Sequence, residues 1–537
     1  MIKRLIAAIL VASLAAALWY VARTTDDPGY RDKADDNASE ASGSSEEEAP
    51  AFVDDGSLTL WYSDEALTDY LSSVALSFQQ DQGIKVNIVL KDGVQFLEDI
   101  NANSLTDPKD RTEAVPDLYI TSHDNLLRAY LSGLASVITD PAGIVTEEMY
   151  PQTALNAVSC YDHYVAYPLY YETNFFLYNK TYMASIAQNR LEAEADIAEG
   201  EEATRELSEN GEPKEDAEEI KTEEKKEGEE EDTGEQADTE AVAEDENPMG
   251  EEDATADAEV LERLATMIPQ TIEDIKTFAN NYDAPEAVES VFKWDVTDIF
   301  YNYFFVGNYM DVGGPNGDNA SIFNIYNSQA VECLSAYQAM NQFFSIDTKE
   351  DSYSKILQDF IDGKMVFTVA TTDAIARIHE AQKNGEFNFE YGVSTLPDIS
   401  SLLKARGLSV TDAVAINGYS GKKDNANKFA TYLVNYKASD MYLKSGKVSC
   451  CKSVEYEDAE IANIMAEYEK SVPLPKMVEA SNYWVQLEIA FTKVWKGADP
   501  DETLRELSDT IGAQIEEIKA NLPTQESFSA GGGNFVK

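Results

Sequence analysis

Three histidines, four cysteines and 99 carboxylates are the side chains of this 537-residue sequence with the most chemistry to offer. The histidines, His123, His163 and His379, stand far apart. None has the H-x-x-x-H spacing that sets two imidazoles on one helix face for a metal. No G-x-S-x-G elbow presents a serine, no G-x-x-x-x-G-K-[ST] loop cradles a phosphate, and no G-x-G-x-x-G opens a dinucleotide site. The run Gly313-Gly314-Pro315-Asn316-Gly317-Asp318 has the small and acidic residues of a calcium or phosphate loop. It lacks the ligand order of the first and the following lysine of the second, so it reads as a plain loop. Cys160, Cys333, Cys450 and Cys451 form no C-x-x-C pair for zinc. They read as small buried residues, with a bridge between distant cysteines as the alternative. A carboxylate pair could hydrolyse a glycosidic bond, but among 99 acids such pairs carry no information. The expected chemistry is therefore binding without catalysis, with no cofactor and no metal.

The charge narrows the partners further. A formal net charge of -58 repels a phosphate backbone, which excludes nucleic acid as a partner. Residues 191–260 carry 31 Asp/Glu against 5 Lys/Arg, and no aromatic residue occurs between Tyr182 and Phe278. Such a stretch has little to bury against the entropy of ordering it, so 184–262 is expected to be a disordered acidic insertion. Short alanine-rich pieces such as Leu191 to Ile197 have transient helical character.

At the N-terminus Lys3 and Arg4 precede an apolar run from Leu5 to Ala22, closed by Arg23. This is the pattern of an export signal. Ala15-Ala16-Ala17 offers a cleavage site, whereas Trp19 and Tyr20 suit a membrane interface. Eighteen helical residues would span about 27 Å, nearly the hydrocarbon core. Residues 1–23 are thus either a cleaved signal or a retained anchor. Either way the bulk of the chain is expected outside the membrane, with the N-terminal segment as its one membrane contact. Residues 24–56 read as an acidic flexible tether and 523–537 as a flexible tail.

Order is expected from Ser57. Leu58 to Tyr62 reads as a strand, Tyr70 to Gln79 as a helix, and Ile84 to Leu90 as a second strand. A helix at Val94 to Ala102, a strand at Pro116 to Ile120 and a helix at Asn125 to Ser132 follow. This alternation predicts an α/β fold with a parallel sheet and right-handed crossovers, whose ligand meets the carboxyl ends of the strands. Phe360 to Val369 reads as a turn into a strand, Tyr391 to Pro397 as another strand, and Asn482 to Ala520 as two helices parted at Gly497-Ala498-Asp499-Pro500.

In order along the chain, several segments resemble the extracellular solute-binding proteins of ABC transporters, the maltodextrin-binding branch in particular. They are Pro116-Asp117-Leu118-Tyr119 through His123-Asp124, then Val165 to Thr173 with Leu177-Tyr178-Asn179-Lys180, then Ile268-Pro269-Gln270-Thr271-Ile272-Glu273-Asp274. Asn327 to Glu332, Phe360 to Lys364, Leu396-Pro397, Tyr483-Trp484 and Gly497 to Leu504 complete the pattern. The likeness spans about Ser57–Met183 and Ile268–Leu522. It implies a periplasmic-binding-protein-like α/β fold of two hinged lobes with discontinuous chain crossovers. The first lobe would take 57–170 and 412–457, the second 171–411 and 458–522. The function implied is capture of a small solute, a carbohydrate such as a maltodextrin, for delivery to an ABC transporter permease. A binding-protein scaffold retained on the membrane as a sensor or surface module is the competing reading.

The resemblance also implies a site. Glu172 matches a hinge-proximal glutamate, Asp124 a first-lobe aspartate and Trp484 a stacking tryptophan; Asp295 and Glu65 match further acidic contacts. Tyr171, Asp373 and Trp61 complete the expected ligand-binding set. Ala66, Thr121, Asn125, Asp373 and Glu488 stand where the maltodextrin pattern has three cations and two tryptophans. The expected cleft gathers Glu65, Asp124, Glu172, Asp295, Asp373 and Glu488 with no cation among them. That composition raises a second ligand class, an amino sugar or other cationic solute.

Overall fold

Five consecutive apolar or β-branched residues, Leu58–Tyr62, form the first strand (β1), buried on both faces. Burial on both sides is what helices packed over a sheet impose. The helix Thr68–Gln82 supplies one cover with the stripe Tyr70, Leu71, Val74, Ala75 and Phe78. It stops at Gly83, whose left-handed φ of 70° is open to glycine at little cost. Strands β2 (Val86–Leu90) and β3 (Leu118–Ser122) flank β1, both parallel to it. The expected strand–helix alternation over this region is what the chain forms.

The computed structural model describes residues 55–93, 95–107, 110–111, 113–209 and 251–521. The N-terminal signal or anchor, nearly all of the tether and the C-terminal tail lie outside the described residues. No described helix is long and apolar enough to cross a membrane.

The sheet is mixed, and one strand organises it. β4 (Ala166–Asn179) runs fourteen residues with all but Glu172 buried. The remaining strands are β5 (Ser290–Phe292), β6 (Met365–Thr371), β7 (Tyr391–Ser394), β8 (Leu408–Ile416), β9 (Val448–Ser449) and β10 (Val472–Pro473). The hydrogen-bonded order is β2-β1-β3-β8-β4-β6-β5, with β7 and β9 also on β4 and β10 on β8. β8 is antiparallel to both β3 and β4, so the all-parallel expectation holds only for the first three strands and the pairs β5–β6 and β8–β10. β8 returns beside β3 from far along the chain, which hairpin-scale sequence patterns do not announce.

The partners of β4 change part-way along it. Its residues 166–173 pair with β8, and Val448 and Ser449 of β9 pair with Tyr171 and Tyr170. From Asn174 onward the partners are β6 and β7. The pairing with β8 shifts register between Asp412 and Ala413, a β-bulge that leaves Leu169 as the extra residue. The carbonyl of Leu169 accepts from Cys450 N–H at 3.1 Å. Bulges of this kind bend a strand and re-aim its side chains.

The acidic insertion differs from expectation. Its described parts, 184–209 and 251–262, lie in two helices, Lys180–Glu209 and Glu251–Met267, that pack on each other. Alanine and glutamate favour helix. Leu264 and Ala187, one on each helix, are both buried in the same apolar cluster, and Arg263 forms an ion pair with Glu194. Residues 210–250 lie outside the described residues. All four cysteines are buried and free.

Candidate functional site

Gly446 ends the helix Ala438–Ser445 with φ 69°, and a Cβ there would come to 3.0 Å from the Cβ of Ala376. The turn it makes delivers Lys447 to the start of β9, beside Glu172, the one residue of β4 that is not buried. The Lys447 ammonium lies 2.8 Å from Asp64 Oδ2, 3.2 Å from Glu172 Oε1 and 5.1 Å from the centre of the Tyr170 ring. Burial works against its charge, but Glu172 and Asp64 outweigh it, and the Lys447 pKa is raised. Asp64 answers in the opposite sense: burial pushes its carboxyl up, Lys447 pulls it down, and the net shift is downward. Both shifts describe one ion pair, charged on each side.

Asp64 is held from below as well. It caps the short 3-10 helix Glu65–Leu67, its Oδ1 accepting from Ala66 N–H at 3.0 Å. Asp412 stands opposite Tyr170 at the bulge. Burial, with Glu172, Asp124 and Asp64 nearby, pushes its carboxyl up to about 7 against the pull of Lys447. The Tyr170 hydroxyl, raised well above its usual value chiefly by burial, stays protonated and points at Asp64 Oδ2, 3.4 Å away. A cavity of about 320 Å³ opens here, lined by Ser63, Asp64, Ser122, Asn125, Tyr170 and Asp412 among others. Ser63 follows β1 and Ser122 ends β3, so this is the carboxyl edge of the parallel strands, where open α/β sheets bind ligands. A larger cavity, about 820 Å³, lies at the base of the helices Lys180–Glu209 and Glu251–Met267 and shares no residue with this one.

Asp124 sits beside this cavity, accepting from the Ser122 hydroxyl. Its neighbour His123 does structural work. His123 Nδ1 accepts from Thr411 N–H at 3.0 Å and Nε2 faces the Leu474 carbonyl at 3.0 Å. Burial first, and then Lys476, lower its pKa to about 4, so the ring is neutral and fastens the end of β3 to β8.

A second acidic cluster forms beyond β6. Asp373 opens the helix Asp373–Asn384 and accepts from the Tyr353 hydroxyl at 2.7 Å and from the Thr371 hydroxyl. The Tyr353 ring stacks on Tyr301 with centroids 4.6 Å apart. Asp298 and Glu488 both have raised carboxyl pKa values, chiefly from burial, with Asp295 acting on each. Trp484 lies one helical turn before Glu488 on the helix Tyr483–Trp495, so the two share a face. Its half-exposed ring meets Tyr303 edge-on at 5.3 Å. The two clusters approach along β4. Thr371 is paired with Asn174, and the Thr372 hydroxyl reaches the Tyr171 carbonyl at 3.5 Å, beside Glu172.

The expected site residues therefore separate. Glu172 and Asp124 join one cluster; Asp373 and Trp484 belong to the other. Tyr171 is fully buried, its ring stacked on Tyr468 at 3.9 Å, and belongs to the core. Trp61 is also core, 1 % exposed, with the Lys91 ammonium 4.2 Å from its ring centre. Asp295 is occupied by its own chain: Oδ1 accepts from Thr297 N–H and hydroxyl, and Oδ2 from Tyr353 N–H at 2.9 Å. Glu65 points to solvent, and the carboxylate in the site is Asp64, one residue earlier. The expectation of a cleft without a cation is overturned by Lys447. Sequence spacing could not find it, because Asp64, Glu172 and Lys447 meet only through β4 and β9.

Solved structures share this architecture. The extracellular solute-binding protein of Staphylococcus aureus, solved with maltose, superposes with a TM-score of 0.60 at 17% identity, covering 88% of this chain and 100% of that one. A cyclo/maltodextrin-binding protein with maltotetraose gives 0.60 at 15% identity, over 88% and 100%. The maltose-binding periplasmic protein of Listeria monocytogenes, also with maltose, gives 0.59 at 17%, over 87% and 99%. No protein-family profile and no curated relative matches the sequence. The fold is that of the two-lobed solute-binding proteins. At this identity the likeness concerns architecture, and the site must be judged on its own residues.

Proposed function

We propose that this chain captures a carbohydrate outside the cell membrane, in a crevice between two hinged lobes, and hands it unaltered to an ABC permease. The lobes would comprise 57–170 with 412–457, and 171–411 with 458–522, the N-terminal segment serving as export signal or anchor. The observation that carries this reading is the cluster of Asp64, Glu172, Asp412, Tyr170 and Lys447 beside a cavity at the strand ends. Sugars offer hydroxyl rims and apolar ring faces. Carboxylates held by a lysine accept hydroxyl protons without carrying their full repulsion, and Tyr170 and Trp484 supply flat surfaces. Asp124 and Asp373 extend the polar lining from either side. All three solved neighbours have sugar-binding names or bound maltooligosaccharides, which supports the substrate class. The hydroxyl–carboxylate pairs of the two clusters, Ser122 with Asp124 and Thr371 with Asp373, serve in this reading as polar lining for solute hydroxyls, and the proposal is transport without chemistry.

The test is a thermal-shift screen of the protein against neutral and amino oligosaccharides. A ligand at 100 times its dissociation constant adds about 2.7 kcal/mol to the folding free energy, a shift of several degrees. A flat response to every saccharide would remove carbohydrate from the proposal.

A further inference from the structure

The Lys447 ammonium occupies a built seat. Two carboxylate oxygens lie 2.8 and 3.2 Å from it and an aromatic face 5.1 Å below it, which together form a recognition set for a protonated amine. Two of the three partners are fixed independently of the lysine: Asp64 is held by the Ala66 amide, and the Tyr170 ring by burial in the core. The backbone of Glu172 is set by pairing with Val410, and its carboxylate is oriented by the ammonium in the seat. The seat therefore keeps two of its walls with the lysine side chain swung away, and the third turns to whichever ammonium fills it.

The charge around the seat remains unbalanced. Asp64, Glu172 and Asp124 all act on Asp412, and Lys447 is the cation among them. Arg128, which also lines the cavity, is engaged with the Asn125 side chain at 3.0 Å and faces Glu98 at 3.9 Å. The second cluster adds Asp298, Asp373 and Glu488, and acids are the charged groups that act on it. A neutral sugar would leave this excess in place, and an anionic one would worsen it. A solute bringing positive charge relieves it.

We propose that the solute is an amino sugar, and that its ammonium enters the seat between Asp64, Glu172 and the Tyr170 ring by displacing the Lys447 side chain. Lys447 is thereby an internal stand-in for the ligand, keeping the seat filled until a solute competes. This rests on the carbohydrate reading above and narrows it to sugars with a free amine.

The deciding experiment is calorimetric titration of the full chain with glucosamine oligomers, their N-acetylated counterparts, maltooligosaccharides of equal length, and spermidine as an amine that is not a sugar. The wild type is expected to bind the glucosamine oligomers at least about tenfold more tightly than either neutral series. Lys447→Met keeps the chain length, removes the competitor, and is expected to tighten amine binding further while weakening under added salt. Lys447→Gln serves as the second variant, with melting curves reporting that each is folded. Equal or tighter binding of the neutral sugars by the wild type overturns the inference and leaves the carbohydrate reading intact. Loss of amine binding in both folded lysine variants also overturns it, since the lysine would then be a contact and not a stand-in. Binding of spermidine with no response to any sugar would uphold the ammonium seat and overturn the carbohydrate reading. Silence in every arm overturns both.

Discussion

The carboxylates of Asp64 and Glu172 and that of Asp295 are the same chemical group in opposite employment. Around Lys447 the acids meet a side-chain cation, and Asp64 also lines a cavity. Around Asp295 they meet backbone amides and fixed hydroxyls: Thr297 N–H, Tyr353 N–H and the Thr297 hydroxyl consume the carboxylate entirely. The first arrangement is exchangeable in principle, and in the reading proposed above a ligand ammonium replaces the lysine. The second is permanent, because nothing can replace a peptide group without unfolding the loop. Charge density alone therefore does not mark a binding residue; the kind of partner does.

That contrast can be broken by substitution. The largest effect is expected for Asp295→Ala, which empties a buried carboxylate position and removes its three hydrogen bonds from the Thr297 amide, the Thr297 hydroxyl and the Tyr353 amide, and should cost about 3 kcal/mol of stability. Denaturant melts measure it, and unchanged sugar affinity in the folded fraction is the companion expectation. Glu172→Ala should do the reverse, weakening solute binding about a hundredfold with a small change in melting temperature; a variant that melts early but binds normally would invert the roles assigned here.

Asp412→Asn is expected to act through pH. The folded carboxyl titrates at about 7, above its unfolded value, so folding favours the protonated form. Its stabilising share is complete below the unfolded pKa and is lost as pH rises through about 7. The asparagine variant should thus match the wild type near pH 4 and exceed it by about 1–2 kcal/mol at pH 8, read from melts across that range. Smallest is Trp484→Ala, expected to lower affinity about fivefold through lost stacking, with titration calorimetry as the check.

Much of the fold was legible because it is written locally. The strand Leu58–Tyr62, the helix ending at Gly83, the strand before Pro397 and the two C-terminal helices all follow from apolar spacing and their punctuating glycines and prolines. What escaped is what distance along the chain hides. The return of β8 between β3 and β4, the delivery of Lys447 across β9 and the one-residue difference between Glu65 and Asp64 are decided by pairing among remote segments. The insertion escaped for another reason. Its composition argued for disorder, while its alanine and glutamate content also suits helix, and the burial of Leu264 and Ala187 in the same apolar cluster favours the second for the described parts. Tyr171 and Trp61 read as ligand rings because aromatic residues near a cleft and under it look alike in sequence.

The change of partners along β4 has a mechanical corollary. Any rotation of one half-sheet against the other must be taken up where Thr173 gives way to Asn174, because the strand is held by β8 before that point and by β6 after it. Glu172 stands almost on the resulting axle. If the proposed lobes hinge there, a side chain at the axle barely travels while surfaces farther out sweep through wide arcs, and a contact made by Glu172 in the open position would persist through closure.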